Sequence, residues 1–354
     1  MRDHRSPLTR DDALYVESLR STIMSVLVDA LRGHTKVALL GIPRHRNLGD
    51  SMIAGGTLAL LRRMNVEVVY LSDLAGLDLK VLHALPQDLP VLFLGGGNLG
   101  DLYPYEEESR LRVIATDPDR RYVVLPQTIH FENTDAVERS ARVYSSAPDL
   151  TLLVRDRRSQ AFAEEAFPHV EAVWSPDHAL GWTPTVRPSH MRRPRVVARR
   201  DEEAMHQDRD APADDWTWSR LNHLAWRAAT GTGSVARRLP STAPTVWVAS
   251  KAAASQTGVN LRAAEKIASN SSAIATNRLH AHILSCLSGV PSFVADNSYG
   301  KVKGIFDEYS GGFTTANWCE DLDQAIARLP GTDTQASSGT SPNVNLNPPG
   351  APAG

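Results

Sequence analysis

An α/β fold of two domains in tandem is predicted by three features of this chain. Short apolar runs of strand length alternate with longer segments at helical spacing from Lys36 onward. A Pro- and Arg-rich stretch, Trp182 to Pro194, interrupts this alternation, which then resumes. The motifs rich in Gly, Arg, His or Asp fall where apolar runs end, and open parallel sheets bind their ligands at those ends.

The elements follow in order. Leu14, Leu19, Ile23, Val26, Leu27 and Leu31 recur at helical spacing and predict an N-terminal helix within residues 1–35. Strands are expected at Val37–Ile42, Val66–Leu71, Val91–Leu94, Tyr122–Leu125 and Leu150–Val154, with a weaker one at Ala172–Trp174. Helix-like stretches such as Ser51–Met64 and Tyr105–Ala115 lie between them, so residues 36–184 form a parallel sheet covered on both faces. The second domain, residues 190–330, restarts with strands at Arg195–Ala198, Val246–Ala249, Ala273–Ala275 and Ser292–Ala295. Asp201 to Pro244 is charged and carries Trp216, Trp218 and Trp226, as an insertion or lid with amphipathic helical pieces would. Those tryptophans pack, stack on sugar or touch a membrane, and packing is the commoner fate. The tail, 331–354, is rich in Thr, Ser, Gly, Asn and Pro and is expected to be disordered.

Composition narrows the function classes. With 354 residues, 42% hydrophobic and 22% charged, the chain can bury two ordinary cores. A net charge of -2 argues against a general nucleic-acid binder, so any cationic site is local. Cys286 and Cys319 are the only cysteines, which excludes a disulfide framework and cysteine-based zinc spacing. No signal-peptide pattern follows Met1 and no run approaches the length of a membrane span, so a cytoplasmic protein is expected. It would reach a membrane-attached substrate through peripheral contact at the inner face.

The motif at Asn277-Arg278-Leu279-His280-Ala281-His282 carries most information. It places a guanidinium and an imidazole where a strand hands over to a helix, and Lys301 and Lys303 follow the next apolar run. Cations at strand ends and helix starts suit a small, multiply charged anion, because helix N-terminal N–H groups add to the side-chain charge. His282, further round the helix, is expected to pack.

Other strand ends supply the remaining candidates. Gly41 to Asp50 is either an ordinary βα turn capped by Asp50 or Ser51, or a segment turning Asn47 and Asp50 into the cleft, with Asp50 as base. Gly95-Gly96-Gly97-Asn98-Leu99-Gly100-Asp101 concentrates glycines beyond what a plain connection needs, which favours a ligand-facing loop. Gln127, Thr128 and His130 could hydrogen-bond a sugar or carboxylate. Arg155 is either half of an ion pair or an anion ligand, and its planar fork suits carboxylate or phosphate. Asp177 could orient a cation, and one of Arg199 and Arg200 could face across the cleft.

Taken together, the N-x-G-D sequence after the first strand, GGGNLGDLY, LPQTIHF, VRD, SPDHAL and NRLHAHILSCLSGVPSFVADNSYGKV resemble the polysaccharide pyruvyl transferase family. The resemblance runs from about Val37 to Tyr309. Asn277 stands where the family more often has Asp, and Asp201–Pro244 does not align. The resemblance implies two Rossmann-like domains facing a cleft, in the GT-B-like manner. It implies transfer of the pyruvyl group of phosphoenolpyruvate to two hydroxyls of a saccharide or glycolipid acceptor, giving a cyclic ketal and phosphate. No cofactor and no metal are expected. Arg278 and His280 carry over as donor-binding and catalytic residues, Arg155 and Lys301 as further donor ligands. Asn47, Gly97, Asn98, Asp101, Gln127 and His130 would line the acceptor side, and Asp50 or His130 would take a hydroxyl proton. Two other readings share the architecture: a glycosyltransferase using a nucleotide sugar, and a non-catalytic sugar- or anion-binding protein.

Overall fold

A computed structural model of the chain describes residues 8–74, 76–199, 220–239, 242–296 and 300–331. The first part runs α1 (Arg10–Leu31), β1 (Lys36–Leu40), α2 (Leu48–Arg63), β2 (Glu67–Ser72), α3 (Leu79–His83), β3 (Val91–Phe93), β4 (Gly96–Gly100), α4 (Pro104–Thr116) and β5 (Tyr122–His130). It continues through α5 (Thr134–Ser145), β6 (Leu150–Val154), α6 (Arg157–Ala166) and β7 (Glu171–Trp174). The second part holds β8 (Arg193–Val197), α7 (Arg220–Arg238), α8 (Ala243–Asn270), β9 (Ser271–Thr276) and α9 (Leu279–Ser288). It ends with β10 (Ser292–Val294), α10 (Lys301–Glu308), β11 (Ala316–Trp318) and α11 (Leu322–Ala327).

Each part contributes a parallel sheet, as two Rossmann-like domains require. The first has the order β2-β1-β3-β5-β6-β7, with β4 beside β5; the second has the order β11-β10-β9-β8. In the first sheet the order reverses between β1 and β3, which opens a crevice at the carboxyl ends of the strands.

Alternation along the strands divides the core. Ala38, Leu40, Phe93, Val124 and Leu152 point to one face, against Leu111, Ile114, Tyr144 and Phe167. Val37, Leu39, Leu92, Val123 and Leu153 point to the other, into an apolar cluster that continues without a break to Ile274, Ile283 and Val294 of the second domain. Helix α1 belongs to this shared core rather than standing apart. Its Asp12 carboxylate accepts from the Thr314 N–H and hydroxyl at 2.7 and 2.6 Å. Tyr15 donates to the Tyr309 carbonyl, and Arg20 donates to the carbonyls of Leu180 and Trp182. The helix therefore straps the interdomain connection to the second domain.

Three local expectations are corrected. Val246–Ala249 lies inside α8, not in a strand: a short apolar run is ambiguous, and Pro244 in the first turn with Thr245 Oγ1 accepting from the Thr242 N–H starts a helix. The glycine-rich segment includes a short strand, β4, paired with β5. Strand β5 runs through Pro126 to His130, and its register against β6 shifts between Val124 and Gln127, which accommodates a residue lacking an N–H. The expectations for Arg200, Asp201, Trp216, Trp218, residues 297–299 and the tail beyond Gly331 lie outside the described residues.

Candidate active site at the domain junction

Arg155 directly follows β6, and its side chain is fully buried. Its Nη1 donates to Oδ2 of Asp177 at 2.6 Å and its Nε to the Thr128 hydroxyl at 2.9 Å, while Thr128 donates onward to Asp156. The remaining nitrogen, Nη2, is buried and makes no hydrogen bond. Asp177 is equally enclosed: Oδ1 accepts from the Ala179 N–H, and its own N–H donates to the Tyr309 hydroxyl of the second domain. Burial alone would raise the Asp177 carboxyl. The Arg155 guanidinium, helped by His280, overrides that and holds it well below the usual carboxylate range.

His280, in the first turn of α9, brings its Nε2 to 3.4 Å from the same Asp177 oxygen, an ion-pair distance without hydrogen-bond alignment. Its Nδ1 turns toward Gly49 in the first turn of α2. A Cβ on Gly49 would lie 2.6 Å from Nδ1, so only glycine lets the imidazole sit there. Lys301, first residue of α10, reaches across to β4: a Cβ on Gly97 would lie 2.0 Å from its Nζ and 3.1 Å from Arg155 Nη2. Two cationic heads, one from each domain, thus converge on a single glycine. Beside them is a small cavity of about 140 Å³, lined in part by Gly97, Thr128, His130, Lys301 and Glu308.

The other sequence candidates divide. Gln127 has no exposed surface; its amide donates to the Leu94 carbonyl and accepts from the Asn98 N–H, so it packs inside rather than lining the cleft. Asn98 Oδ1 accepts from Arg110, and the Asp101 carboxylate accepts from the N–H groups of Glu132 and Asn133. These three side chains hold the glycine segment and the turn after β5 in place. The α2 cap is Asn47, accepting from the Gly49 N–H at 2.9 Å, and not Asp50 or Ser51 as expected. Asp50 lies one residue further on, 3.6 Å from His45. Arg278 is the N-cap residue of α9, and its Nε donates to the Ala198 carbonyl at 3.1 Å, which sets it at the carboxyl end of β8. Just before it, buried Asn277 accepts from the Arg199 N–H, a task an aspartate could also perform. His282 contacts the Ser292 and Ser310 hydroxyls, and burial lowers it to about 4, so it is a neutral packing residue.

One group escaped the sequence reading. Glu106, in the first turn of α4, has its carboxyl raised by burial, against the opposing pull of Arg110 and His45. One glutamate among the three at Glu106–Glu108 carries no distinguishing signal, because burial separates them only once α4 is docked.

Comparison with known proteins gives the chain a family. The family model "Polysaccharide pyruvyl transferase" matches residues 47–299. "Pyruvyl transferase 1" of Schizosaccharomyces pombe is 33% identical over 312 residues, covering 84% of this chain and 76% of the relative. The Bacillus subtilis protein named "Putative pyruvyl transferase EpsO" is 28% identical over 298 residues, 82% of this chain and 90% of the relative. Among solved structures, the uncharacterized protein KP1_0663 of Klebsiella pneumoniae aligns with a TM-score of 0.55 at 15% identity, over 86% of this chain and 99% of that one, a likeness of fold. The chain belongs to the polysaccharide pyruvyl transferase family.

Proposed function

We propose that the protein moves the pyruvyl group of phosphoenolpyruvate onto two hydroxyls of one sugar in a polysaccharide or glycolipid precursor, forming a cyclic ketal and releasing phosphate. One observation carries this reading: the buried, hydrogen-bond-free Nη2 of Arg155 and the Nζ of Lys301 converge on Gly97 beside a small cavity. A guanidinium nitrogen kept from water calls for an anionic ligand, and a donor with a carboxylate and a phosphate on one enol supplies it.

In this course, Arg155, Lys301 and Arg278 hold the donor's anionic groups. A proton is delivered to the methylene carbon, one sugar hydroxyl bonds to the adjacent carbon, and the second hydroxyl then displaces phosphate there. His280 is the proton carrier: Asp177 faces its Nε2, and the missing side chain at Gly49 makes the space that the ring itself occupies. Asp50 or His130 accepts a proton from an attacking hydroxyl.

Calorimetric titration tests the proposal. Saturable binding of phosphoenolpyruvate, lost in Arg155→Ala and Arg278→Ala, is expected, together with phosphate release when an acceptor is added. Binding of a nucleotide diphosphate sugar without phosphoenolpyruvate binding would move the protein to the glycosyltransferase reading.

A further inference from the structure

Helices α7 and α8 pack against each other through small buried residues such as Ala229 and Ala236, and among the described residues this leaves the outer face of α7 uncovered. That face is apolar. Leu221, Leu224, Val235 and Leu239 recur at helical spacing and are 77%, 63%, 59% and 52% exposed, with exposed Ala225, Ala228 and Thr232 between them. On α8, Trp247 is 61% exposed, and the Lys251 ammonium sits 5.6 Å from its ring centroid. Along this part of the sequence the charge has one sign. From Trp216 to Ala264 the sequence holds five arginines, one lysine and no aspartate or glutamate, although the whole chain has a net charge of -2. Arg227, Arg238 and Lys251 are all exposed.

We infer that this helical hairpin docks the protein onto an anionic membrane surface. Exposed leucines with a tryptophan and flanking cations are the makeup of a helix lying in the headgroup region, where apolar burial and attraction to anionic lipid add. The charge pattern selects this occupant over a second copy of the chain, because two such faces would bring only positive charges together. Among the described residues no helix is long and apolar enough to cross a membrane, so the hairpin lies on the surface. The inference does not depend on the reaction, since binding is read without donor or acceptor.

The test is flotation of the full chain with vesicles of phosphatidylcholine alone and of phosphatidylcholine mixed with phosphatidylglycerol. Binding to the anionic vesicles only, weakened by salt, is expected. Leu224→Glu with Trp247→Glu, and separately Arg227→Glu with Arg238→Glu, should each reduce it about tenfold or more with circular dichroism unchanged. Equal binding to both vesicle types, or variants that bind as the parent does, would overturn the inference. So would a dimer in light scattering that Leu224→Glu converts to monomer, since the face would then belong to a second copy.

Discussion

Arg155 Nη1 and Asp177 Oδ2 stand 2.6 Å apart with both side chains withdrawn from water, so each charge depends on the other. Removing one partner strands a buried ion, which costs about 3–5 kcal/mol. Arg155→Ala should therefore lower the denaturant midpoint as well as donor binding. The double variant Arg155→Met with Asp177→Leu should recover part of the stability while remaining inactive, because an apolar pair of similar size packs but binds no anion and leaves the Ala179 N–H without its acceptor. Recovery of turnover in the double variant would remove Arg155 from the site.

Gly97→Ala probes the cationic convergence without touching a charged residue. The added methyl displaces the Lys301 ammonium, the far end of a flexible chain, so the fold should survive. The expected result is a loss of about 10-fold to 100-fold in kcat/KM for phosphoenolpyruvate, carried mainly by KM. Unaltered steady-state kinetics would mean that Lys301 acts elsewhere.

Gly49→Ala presses on the His280 ring instead, at 2.6 and 2.8 Å. Here kcat should fall while calorimetric affinity for the donor is kept, because the proton carrier moves and the anion ligands do not. Donor affinity falling in step with kcat would place the imidazole in binding alone.

Arg278→Ala should abolish turnover and leave the fold intact. In the protein its Nε satisfies one backbone carbonyl, that of Ala198, and losing such a bond costs about 1 kcal/mol. Thermal unfolding beside a phosphate-release assay separates the two effects; retained turnover would defeat the assignment.

Stability should fall as pH drops from neutrality. Burial lowers His178 and His282 from 6.5 to about 4, so between those values the unfolded chain takes up protons that the fold refuses. Each histidine contributes a slope of at most about 1 kcal/mol per pH unit, and its loss of stability begins near pH 6.5 and is complete by about pH 4. Asp177 acts in a lower window: its depressed carboxyl contributes stability that is full above the ordinary value of 3.8 and is lost as pH falls below it. Urea midpoints from pH 7 to pH 5 check the histidine part, and His282→Asn should flatten the slope even though it lowers the midpoint.

Much of this was legible in the chain, for identifiable reasons. Strands β1, β3 and β6 are short, mainly apolar runs bounded by turn residues, so local pattern suffices to find them. The run Val246–Ala249 misleads because four apolar residues fit a strand or a helix equally well. Among the candidate site residues, Arg155, His280 and Lys301 are visible as charges placed where apolar runs end. Gln127 occupies an equivalent position yet turns inward, because β5 continues past the proline and carries it into the sheet.

The sequence by itself determined the alternation of strand and helix and which strand ends bear cations and glycines, since these are properties of neighbours along the chain. The tertiary structure alone decided that Arg155, Asp177 and His280 meet, that Lys301 and Arg155 close on Gly97, and that Asp101 and Gln127 serve the backbone. Those encounters depend on how two sheets are set around a shared apolar core, with α1 fastening the second domain, and that packing is a sum over contacts between residues far apart in the chain.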